Sequence, residues 1–321
     1  MRCLVTGGTG VIGAHLVRLL VRKGCQVAVL LRDSSSTWRI ADVVPQLTRI
    51  RGELMAIRDA TEAIHAFAPD VVFHLAWRGV VGRHRNEATQ ITENLWGTLE
   101  LLRTTHQSGA HSFVGVGSQA EYGPYDAALT EELPTRPTTL YGMAKLSAGL
   151  IGQQFSNTWG IRFTWLRLLA AYGPADQSDY LIPTVILSLL RGIKPPLTRG
   201  TQRWDYLYVE DAAEAIWQAA QARAAVGVFN LASGQPATVR EIVQQIRDLM
   251  DRNLPLGWGE LSRPDEPIHN LEADISKFRN ATGWAPQVPL REGLRRTVEW
   301  FRENRRYYEQ AAMTAISAGG E

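Results

Sequence analysis

The residues with the clearest capacity for chemistry are a tyrosine and a lysine in the middle of the chain. Tyr141 and Lys145 are four residues apart in the run Leu140-Tyr-Gly-Met-Ala-Lys-Leu146. On a helix, residues at this spacing lie on one face. An ammonium group beside a phenol favours the phenolate, so Tyr141 can give or take a proton near neutral pH. Ser118 lies between this pair and a glycine-rich segment at the start of the chain.

That glycine-rich segment predicts a site for a dinucleotide. Gly7, Gly10 and Gly13 have the spacing G-x-x-G-x-x-G, after an apolar strand and at the start of a helix. The first glycine permits a tight turn, the second lets the backbone approach a pyrophosphate, and the third allows close helix packing. The amino end of the helix then faces the phosphates. Together with the tyrosine and lysine, this turn predicts hydride transfer with a proton supplied by the protein.

The end of the second strand indicates which nicotinamide cofactor is used. An acidic residue at that point binds the ribose 2′-hydroxyl of NAD, whereas an arginine suits the 2′-phosphate of NADP. Here Leu31 stands where the acid is expected, and Arg32 follows it. We therefore expect NADP(H) in preference to NAD(H), with Arg32 as the phosphate ligand and Ser34 or Ser35 assisting. The alternative is that Asp33 turns inward and binds the ribose of NAD.

Composition excludes several other classes of function. The chain has 321 residues, 45% of them apolar and 21% charged, with a formal net charge of +2, as in ordinary globular proteins. The arginines are scattered, which argues against nucleic-acid binding. Cys3 and Cys25 predict a reducing, cytoplasmic compartment rather than a disulfide framework, and the histidines lack the spacing of a metal site. No apolar run approaches the roughly 18 residues of a membrane span.

The first 170 residues alternate between apolar strands and amphipathic helices. The alternation predicts an α/β fold with a parallel sheet that helices cover on both faces. The predicted strands are Arg2–Thr6, Gln26–Leu31, Asp70–His74, Ser112–Val116 and Ile161–Leu169, and the predicted helices are Val11–Lys23, Ala60–Ala68, Asn86–His106 and Thr138–Thr158. After residue 175 proline and glycine recur, and helices are predicted at Glu210–Arg223, Thr238–Asp251 and Leu290–Asn304.

A series of ordered motifs carries a family resemblance over nearly the whole chain, from Met1 to about Arg302. The chain resembles the extended short-chain dehydrogenases/reductases of the NAD-dependent epimerase/dehydratase family, which act mainly on nucleotide sugars. The motifs are Thr6 to Gly13, His74-Leu-Ala76, Asn94-Leu-Trp-Gly-Thr98, Gly117-Ser-Gln-Ala-Glu-Tyr-Gly123, Tyr141 with Lys145, Arg167 to Pro174, Asp205 to Asp211, Ala273 to Lys277, Gly283-Trp284 and Leu290 to Leu294.

The resemblance implies a doubly wound Rossmann sheet and a smaller C-terminal α/β region that binds substrate. The boundaries we expect are residues 1–174 for the dinucleotide-binding domain and 175–321 for the mainly substrate-binding region. The chain is expected to cross back to the Rossmann domain around residues 203–230. A homodimer formed through the two long helices of the first domain is expected by the same analogy.

The resemblance also assigns roles to individual residues. It implies that Tyr141 is the general acid/base, that Lys145 binds the nicotinamide ribose and lowers the tyrosine pKa, and that Ser118 donates a hydrogen bond to the reacting oxygen. The cofactor-binding residues we expect are Gly7, Gly10, Val11, Ile12, Gly13, Arg32, Ser34, Ser35, Glu53, Leu54, Leu75, Ala76, Trp77, Asn94, Val116, Tyr141, Lys145 and Leu168. The substrate-binding residues we expect are Arg78, Ser118, Gln119, Tyr141, Trp204 and Arg263.

The residues after Ser118 bear on the reaction type. Related 4,6-dehydratases carry two acid/base side chains there, whereas this chain has Gln119 and Ala120, which cannot transfer protons in that role. Glu121 comes one residue late and is expected to point away. We therefore expect NADPH-dependent reduction of a 4-keto sugar or deoxysugar. The alternatives are a nucleotide-sugar 4-epimerase that retains NAD, and a non-catalytic dinucleotide-binding protein.

Overall fold

The centre of the protein is a seven-stranded parallel sheet. The computed structural model describes residues 1–262 and 270–308. Across the sheet the strands follow the order β11-β6-β5-β4-β1-β2-β3. Their bounds are β1 Arg2–Thr6, β2 Gln26–Leu31, β3 Leu47–Arg51, β4 Val71–His74, β5 Ser112–Ser118, β6 Arg162–Leu168 and β11 Gly227–Leu231. β1 pairs with both β2 and β4, so the strand order reverses at β1, and a crevice opens there at the carboxyl ends of the strands.

Helices cover both faces of this sheet. The helices are α1 Val11–Arg22, α2 Thr61–Phe67, α3 Trp96–Gln107, α4 Leu140–Trp159, α5 Leu181–Leu190, α6 Val209–Gln221, α7 Val239–Met250, α8 Ser276–Thr282 and α9 Leu290–Asn304. α1 and α6 pack together on one face with residues such as Val5, and α3 and α4 cover the other face with residues such as Leu4. Because both faces are covered, β4 and β5 are buried along their whole length.

A second core lies beyond the carboxyl ends of the strands. Apolar residues of α5, α7 and α9 form it. Short strands accompany these helices: β7 Ala170–Tyr172, β8 Pro196–Leu197, β9 Arg203–Trp204, β10 Tyr206–Tyr208, β12 Ala237–Thr238, β13 Gly257–Trp258 and β14 Asn270–Leu271. β11 lies between these elements in sequence and pairs with β6, so the chain returns to the large sheet before α7. The assignment of cofactor and substrate binding to two regions stays a prediction.

The predicted α/β fold is confirmed, and most predicted elements lie within two residues of their observed bounds. Three differences stand out. Strand β3 and helix α5 were not predicted, and the helix expected over Asn86–His106 is a π-helical turn over Gln90–Leu95 followed by α3, with a 3-10 turn over Gly82–Asn86 before it. Within residues 1–262 and 270–308, no helix has both the length and the apolar character needed to span a membrane.

Candidate active site

The glycine turn leaves β1 at the crevice and has the close contacts that glycine permits. Gly7 has φ of 72°, and a Cβ there would lie 2.6 Å from the Ala76 nitrogen. A Cβ on Gly13 would collide with the Gly7 carbonyl, and the N–H of the exposed Gly10 donates to that same carbonyl over 3.0 Å. Gly10 caps α1 without a side-chain hydrogen bond, so the first N–H groups of the helix are free for an anion.

The predicted cofactor residues next to the turn are arranged around it. Val11 and Ile12 are half-buried in the first turn of α1. Leu75 and Ala76 follow β4 and donate their backbone N–H groups to the Thr6 carbonyl and hydroxyl, over 3.1 and 3.3 Å. The two loops therefore leave adjacent strands in contact, and this geometry fits the pyrophosphate of a dinucleotide.

His74 of β4 links this strand to β1 and to α3. Its ring nitrogens contact the hydroxyls of Thr6 and Thr98, over 2.8 and 3.0 Å. Burial, followed by the charge of Lys145, lowers the pKa of His74 to about 3. The imidazole is neutral at physiological pH, as a structural role requires. Among the described residues, no cluster of histidine, cysteine or acidic side chains could hold a metal ion.

Ser118, Tyr141 and Lys145 come together beside these loops. Ser118 is the last residue of β5, where its hydroxyl accepts the Ala120 N–H over 3.2 Å and caps a 3-10 turn. Thr139 caps α4 through the Gly142 N–H, and this places Tyr141 and Lys145 in the first two turns of the helix. The Ser118 hydroxyl is near enough to the Tyr141 phenol to lower its pKa. All three side chains are buried.

The Lys145 ammonium group is held by a carbonyl and an indole. It donates to the Val116 carbonyl over 2.6 Å and lies 3.8 Å from the Trp77 ring centroid. The Trp77 indole packs edge-on against the Tyr141 ring at 6.3 Å and donates to Gln90 Oε1 over 2.8 Å. Burial lowers the pKa of Lys145 to about 7, and the more distant Glu121 opposes this change. Trp77 thus contacts both members of the pair that the sequence singled out.

The expectation of a lowered tyrosine pKa does not hold for the protein alone. Burial raises the pKa of Tyr141 above its ordinary value, while Ser118 and then Arg85 act in the opposite direction. Lys145 is four residues away on the same helix, but its ammonium group donates to Val116. The i, i+4 spacing fixes the helix face, whereas Trp77 and Val116 on other elements fix where the ammonium group lies.

Glu121 is turned away from Tyr141 and closes a buried network behind Ser118. Its Oε2 accepts from Arg167 over 2.7 Å, and its Oε1 accepts the Trp165 indole N–H and the Ser118 backbone N–H, each over 2.9 Å. With this carboxylate fully engaged, Gln119 is the polar side chain beside Ser118, and Ala120 contributes only a methyl group. The paired acids of a dehydratase have no counterpart at these two positions.

The predicted adenosine end lies at the tips of β2 and β3. Arg32 and Ser34 are exposed, and the Arg32 N–H donates to Ser35 Oγ over 3.0 Å. Asp33 forms an ion pair with Arg51 of β3, so the Asp33 carboxylate points toward this neighbouring strand. Glu53 is exposed, and the half-buried Leu54 packs against Gly97, where a Cβ would lie 2.6 Å from the Leu54 carbonyl oxygen.

The remaining predicted cofactor residues have supporting positions. The Asn94 amide is buried, accepts the Arg78 N–H over 2.9 Å and donates to the Arg78 carbonyl over 2.9 Å, so it holds the loop after β4. Val116 is buried in β5 and accepts the Lys145 hydrogen bond. Leu168 ends β6 directly beside Ser118.

The predicted substrate residues are less closely grouped. Gln119 is next to Ser118, whereas the exposed Arg78 forms an ion pair with Glu93 over 3.2 Å. Trp204 is half-buried, stacks with Tyr206 at 5.9 Å and packs against the second core, so part of its surface serves the fold. Arg263 lies outside the described residues.

Sequence reasoning missed one cation at this site. The guanidinium carbon of Arg85 lies 4.9 Å from the centroid of the Tyr141 ring. The only signal was a short basic run, Gly82-Arg-His-Arg-Asn86, directly before the expected helix Asn86–His106. Because that segment is a 3-10 turn packed against the start of α4, Arg85 lies over the tyrosine.

Comparison with known proteins identifies the family. The model of the NAD dependent epimerase/dehydratase family matches residues 3–232. The chain belongs to this family. It is 30% identical over 325 residues to dTDP-glucose 4,6-dehydratase of Streptomyces niveus, and the match covers 96% of this chain and 95% of that protein.

Solved structures of this epimerase/dehydratase family have the same fold. The UDP-glucose 4-epimerase of Thermotoga maritima superposes with a TM-score of 0.86 at 27% identity, covering 94% of this chain and 99% of the other. The UDP-N-acetylglucosamine 4-epimerase of Methanobrevibacter ruminantium gives 0.85, also at 27% identity, covering 94% and 97%. The predicted membership of the extended short-chain dehydrogenases/reductases is thereby confirmed.

Proposed function

We propose that this protein transfers a hydride between a nicotinamide cofactor and the sugar of a nucleotide sugar, with Tyr141 as the proton donor or acceptor. The observation that carries the proposal is the contact of Trp77 with Tyr141 and Lys145, one residue after Ala76, which borders the glycine turn. One contiguous set of residues thus joins the proposed dinucleotide cradle to the proposed acid/base. Family membership supports the same reading.

The chemistry divides between the cofactor and the chain. When bound, the nicotinamide supplies or accepts the hydride. The Tyr141 hydroxyl transfers the proton at the substrate oxygen, and the Ser118 hydroxyl holds that oxygen in line. Lys145 is placed to hydrogen-bond the ribose from the side of Val116, and its positive charge favours loss of the phenolic proton. The buried positions of all three exclude bulk water from the proton transfer.

Within this activity we propose NADPH-dependent reduction of a 4-keto sugar or deoxysugar. A reductase exchanges its cofactor in each turnover, and the exposed Arg32 at the tip of β2 suits NADP(H). Pairing of Asp33 with Arg51 supports this preference because it occupies the acid that would otherwise bind the ribose of NAD. Gln119 and Ala120 argue against the dehydratase activity of the relative in Streptomyces niveus.

A 4-epimerase that retains its cofactor is the second candidate. The observation that favours it is the similarity to two solved 4-epimerases with TM-scores of 0.86 and 0.85. Epimerisation would use the same Ser118 and Tyr141 hydroxyls, because it consists of oxidation and re-reduction at C4 of the sugar. The two activities differ in whether NADPH is consumed.

The experiment follows NADPH absorbance with a nucleotide-linked 4-keto sugar, and in parallel follows interconversion of UDP-glucose and UDP-galactose without added cofactor. Steady NADPH consumption supports the reductase, and cofactor-independent interconversion supports the epimerase. Tyr141→Phe is expected to lower either rate by about 10²–10⁴-fold. Full turnover by this variant would rule out Tyr141 as the proton donor, and absence of both activities would favour a non-catalytic dinucleotide-binding protein.

We also propose that the protein is a homodimer in the cytoplasm. Exposed apolar side chains concentrate on the π-helical turn, α3 and α4: Ile91 at 40%, Trp96 at 50%, Met143 at 43% and Leu150 at 56% exposure. Two copies can bury this surface against each other. Trp96→Glu with Leu150→Glu is expected to give a monomer in sedimentation, and an unchanged sedimentation coefficient would contradict the proposed interface.

A further inference from the structure

Arg85 is a cation at the candidate active site that no described side chain neutralises. Its guanidinium carbon lies 4.9 Å from the centre of the Tyr141 ring, and its Nε is buried without a hydrogen-bond partner. A buried N–H group without a partner is rare in folded proteins and calls for an explanation. Two acids close to Arg85 in sequence are already engaged: Glu87 pairs with His84, and Glu93 pairs with Arg78.

The segment that carries Arg85 is held in place at several points. Asn86 Oδ1 accepts the backbone N–H of Leu140 at the start of α4, over 3.2 Å. The buried Gln90 amide donates to the carbonyls of Gly79 and His84, over 2.8 and 2.9 Å. The backbone on either side of Arg85 is therefore fixed relative to the helix that carries Tyr141.

Arg85 also faces the C-terminal region. Its charge acts on the phenol of Tyr180, which immediately precedes α5, as well as on Tyr141. Tyr141 belongs to α4 and Tyr180 precedes α5 of the second core, so the charge of Arg85 acts on groups of both regions.

The other arginines near the crevice have partners. Arg78 pairs with Glu93, Arg167 pairs with Glu121, and Arg203 of β9 lies 3.8 Å from Glu272. Of these four arginines, all within the described residues 1–262 and 270–308, Arg85 alone contacts Tyr141 and has a buried N–H group without a hydrogen-bond partner. Guanidinium groups bind carboxylates and phosphates with two parallel hydrogen bonds.

We propose that Arg85 is a substrate-binding residue whose guanidinium group donates hydrogen bonds to an oxyanion of the substrate, either a carboxylate on the sugar or the diphosphate of the nucleotide. This inference rests on the proposed function, because it assumes that the substrate reaches Tyr141. It adds a charged contact beside Tyr141, where the sequence singled out Ser118 and Gln119. The stacking of Arg85 on Tyr141 also keeps the two groups at a fixed separation.

Binding to the protein saturated with NADP tests the proposal without requiring turnover. The probes are UDP, UDP-glucose and UDP-glucuronate, measured by calorimetry with wild type, Arg85→Gln and the control Arg83→Gln. Arg83 is exposed and lies two residues earlier in the same turn, so the control makes the same charge change outside the crevice. Thermal unfolding of each variant verifies that it is folded.

Two results support the proposal and distinguish the sources of the oxyanion. A loss of tenfold or more that is confined to UDP-glucuronate identifies the sugar carboxylate. A similar loss with all three probes, with NADP affinity unchanged, identifies the diphosphate. Equal affinities for wild type and Arg85→Gln, equal losses in Arg85→Gln and Arg83→Gln, loss of NADP binding by Arg85→Gln, or no wild-type binding of any probe at 1 mM would each overturn the proposal.

The same titrations with a Tyr141→Phe background separate this inference from the proposed chemistry. Binding that depends on Arg85 survives removal of the tyrosine hydroxyl if Arg85 acts on the oxyanion alone. Full turnover by Tyr141→Phe would reject the proposed reaction while leaving the Arg85 binding result valid.

Discussion

The Lys145 ammonium group and the face of the Trp77 ring are 3.8 Å apart, so the charge of the proposed catalytic lysine lies directly on an indole. A cation over an indole is stabilised by about 0.5–2 kcal/mol, depending on its exposure to water. This contact opposes the burial that lowers the pKa of Lys145 to about 7. Trp77 therefore helps to set the pH at which the lysine loses its charge.

Replacement of Trp77 by leucine is expected to shift the pH dependence of turnover. Without the indole the charged form of Lys145 is less stable, so the basic limb of the kcat profile moves to lower pH by roughly 0.5–1 unit. Trp77→Phe retains an aromatic face and should give a smaller shift. Trp159→Leu, at the distant end of α4, is the control. A basic limb that stays in place in Trp77→Leu would contradict this role.

Glu121 is expected to contribute to both stability and the placement of Ser118. Glu121→Gln leaves the buried Arg167 without its countercharge and should lower the free energy of unfolding by about 3–5 kcal/mol, measured by urea denaturation. Adding Arg167→Met removes the orphaned charge and should restore part of that loss. Glu132→Gln, at a more exposed acid, is the control. Equal stability of wild type and Glu121→Gln would show that the ion pair is dispensable.

Cofactor choice is expected to depend on Arg32. In Arg32→Ala, affinity for NADP should fall by tenfold or more while affinity for NAD stays within about twofold, because only NADP carries the 2′-phosphate. Fluorescence titration of the purified protein with each cofactor provides the measurement. Arg49→Ala removes an exposed arginine from neighbouring β3 and is the matched control. Tighter binding of NAD than NADP by wild type would reject the preference.

Asp176 makes stability depend on pH in the direction opposite to most carboxylates. Burial raises the pKa of Asp176 to about 7, so the native side chain is neutral over a range in which the unfolded chain, with a pKa of 3.8, is ionised. Its contribution is present below pH 3.8 and is lost as the pH rises through 7.

Asp176→Asn removes this dependence. The variant should match wild type near pH 4 and exceed it at pH 8, by roughly 2–4 kcal/mol in free energy of unfolding. Asp179→Asn, at an exposed position three residues later, should change stability little at either pH. If Asp176→Asn is less stable than wild type at pH 8, the carboxylate is charged in the native state and this prediction is wrong.

The elements that the sequence predicted well are those with a strong local pattern. β1 and β2 have the predicted bounds because each is a short continuous apolar run, and α9 has them because its apolar residues recur at helical spacing. β3 was missed because it is an edge strand with one buried residue, Ile50, among five. α5 was missed because it is apolar on nearly all sides and contains Pro183, which a helix tolerates in its first turn.

At the candidate site, spacing placed Tyr141 and Lys145 on one helix face but said nothing about what meets them there. The ammonium group is positioned by Val116 and Trp77, which are 29 and 68 residues away in sequence. Arg85 reaches Tyr141 because a 3-10 turn before the expected helix packs against the start of α4. Contacts of this kind depend on how separate elements pack, and no local pattern encodes them.

The return of the chain to the large sheet through β11 determines how the protein can be divided. A fragment that ends at residue 174 would contain every motif of the dinucleotide cradle, yet β6 would become an unpaired edge and α1 would lose the cover of α6. The unpaired edge of β6 and the uncovered apolar face of α1 could then bind other chains. Expression of the two halves as separate polypeptides is therefore a route to aggregates, and insertions intended to split or tag the molecule belong at exposed turns such as Gly109 or Gly192.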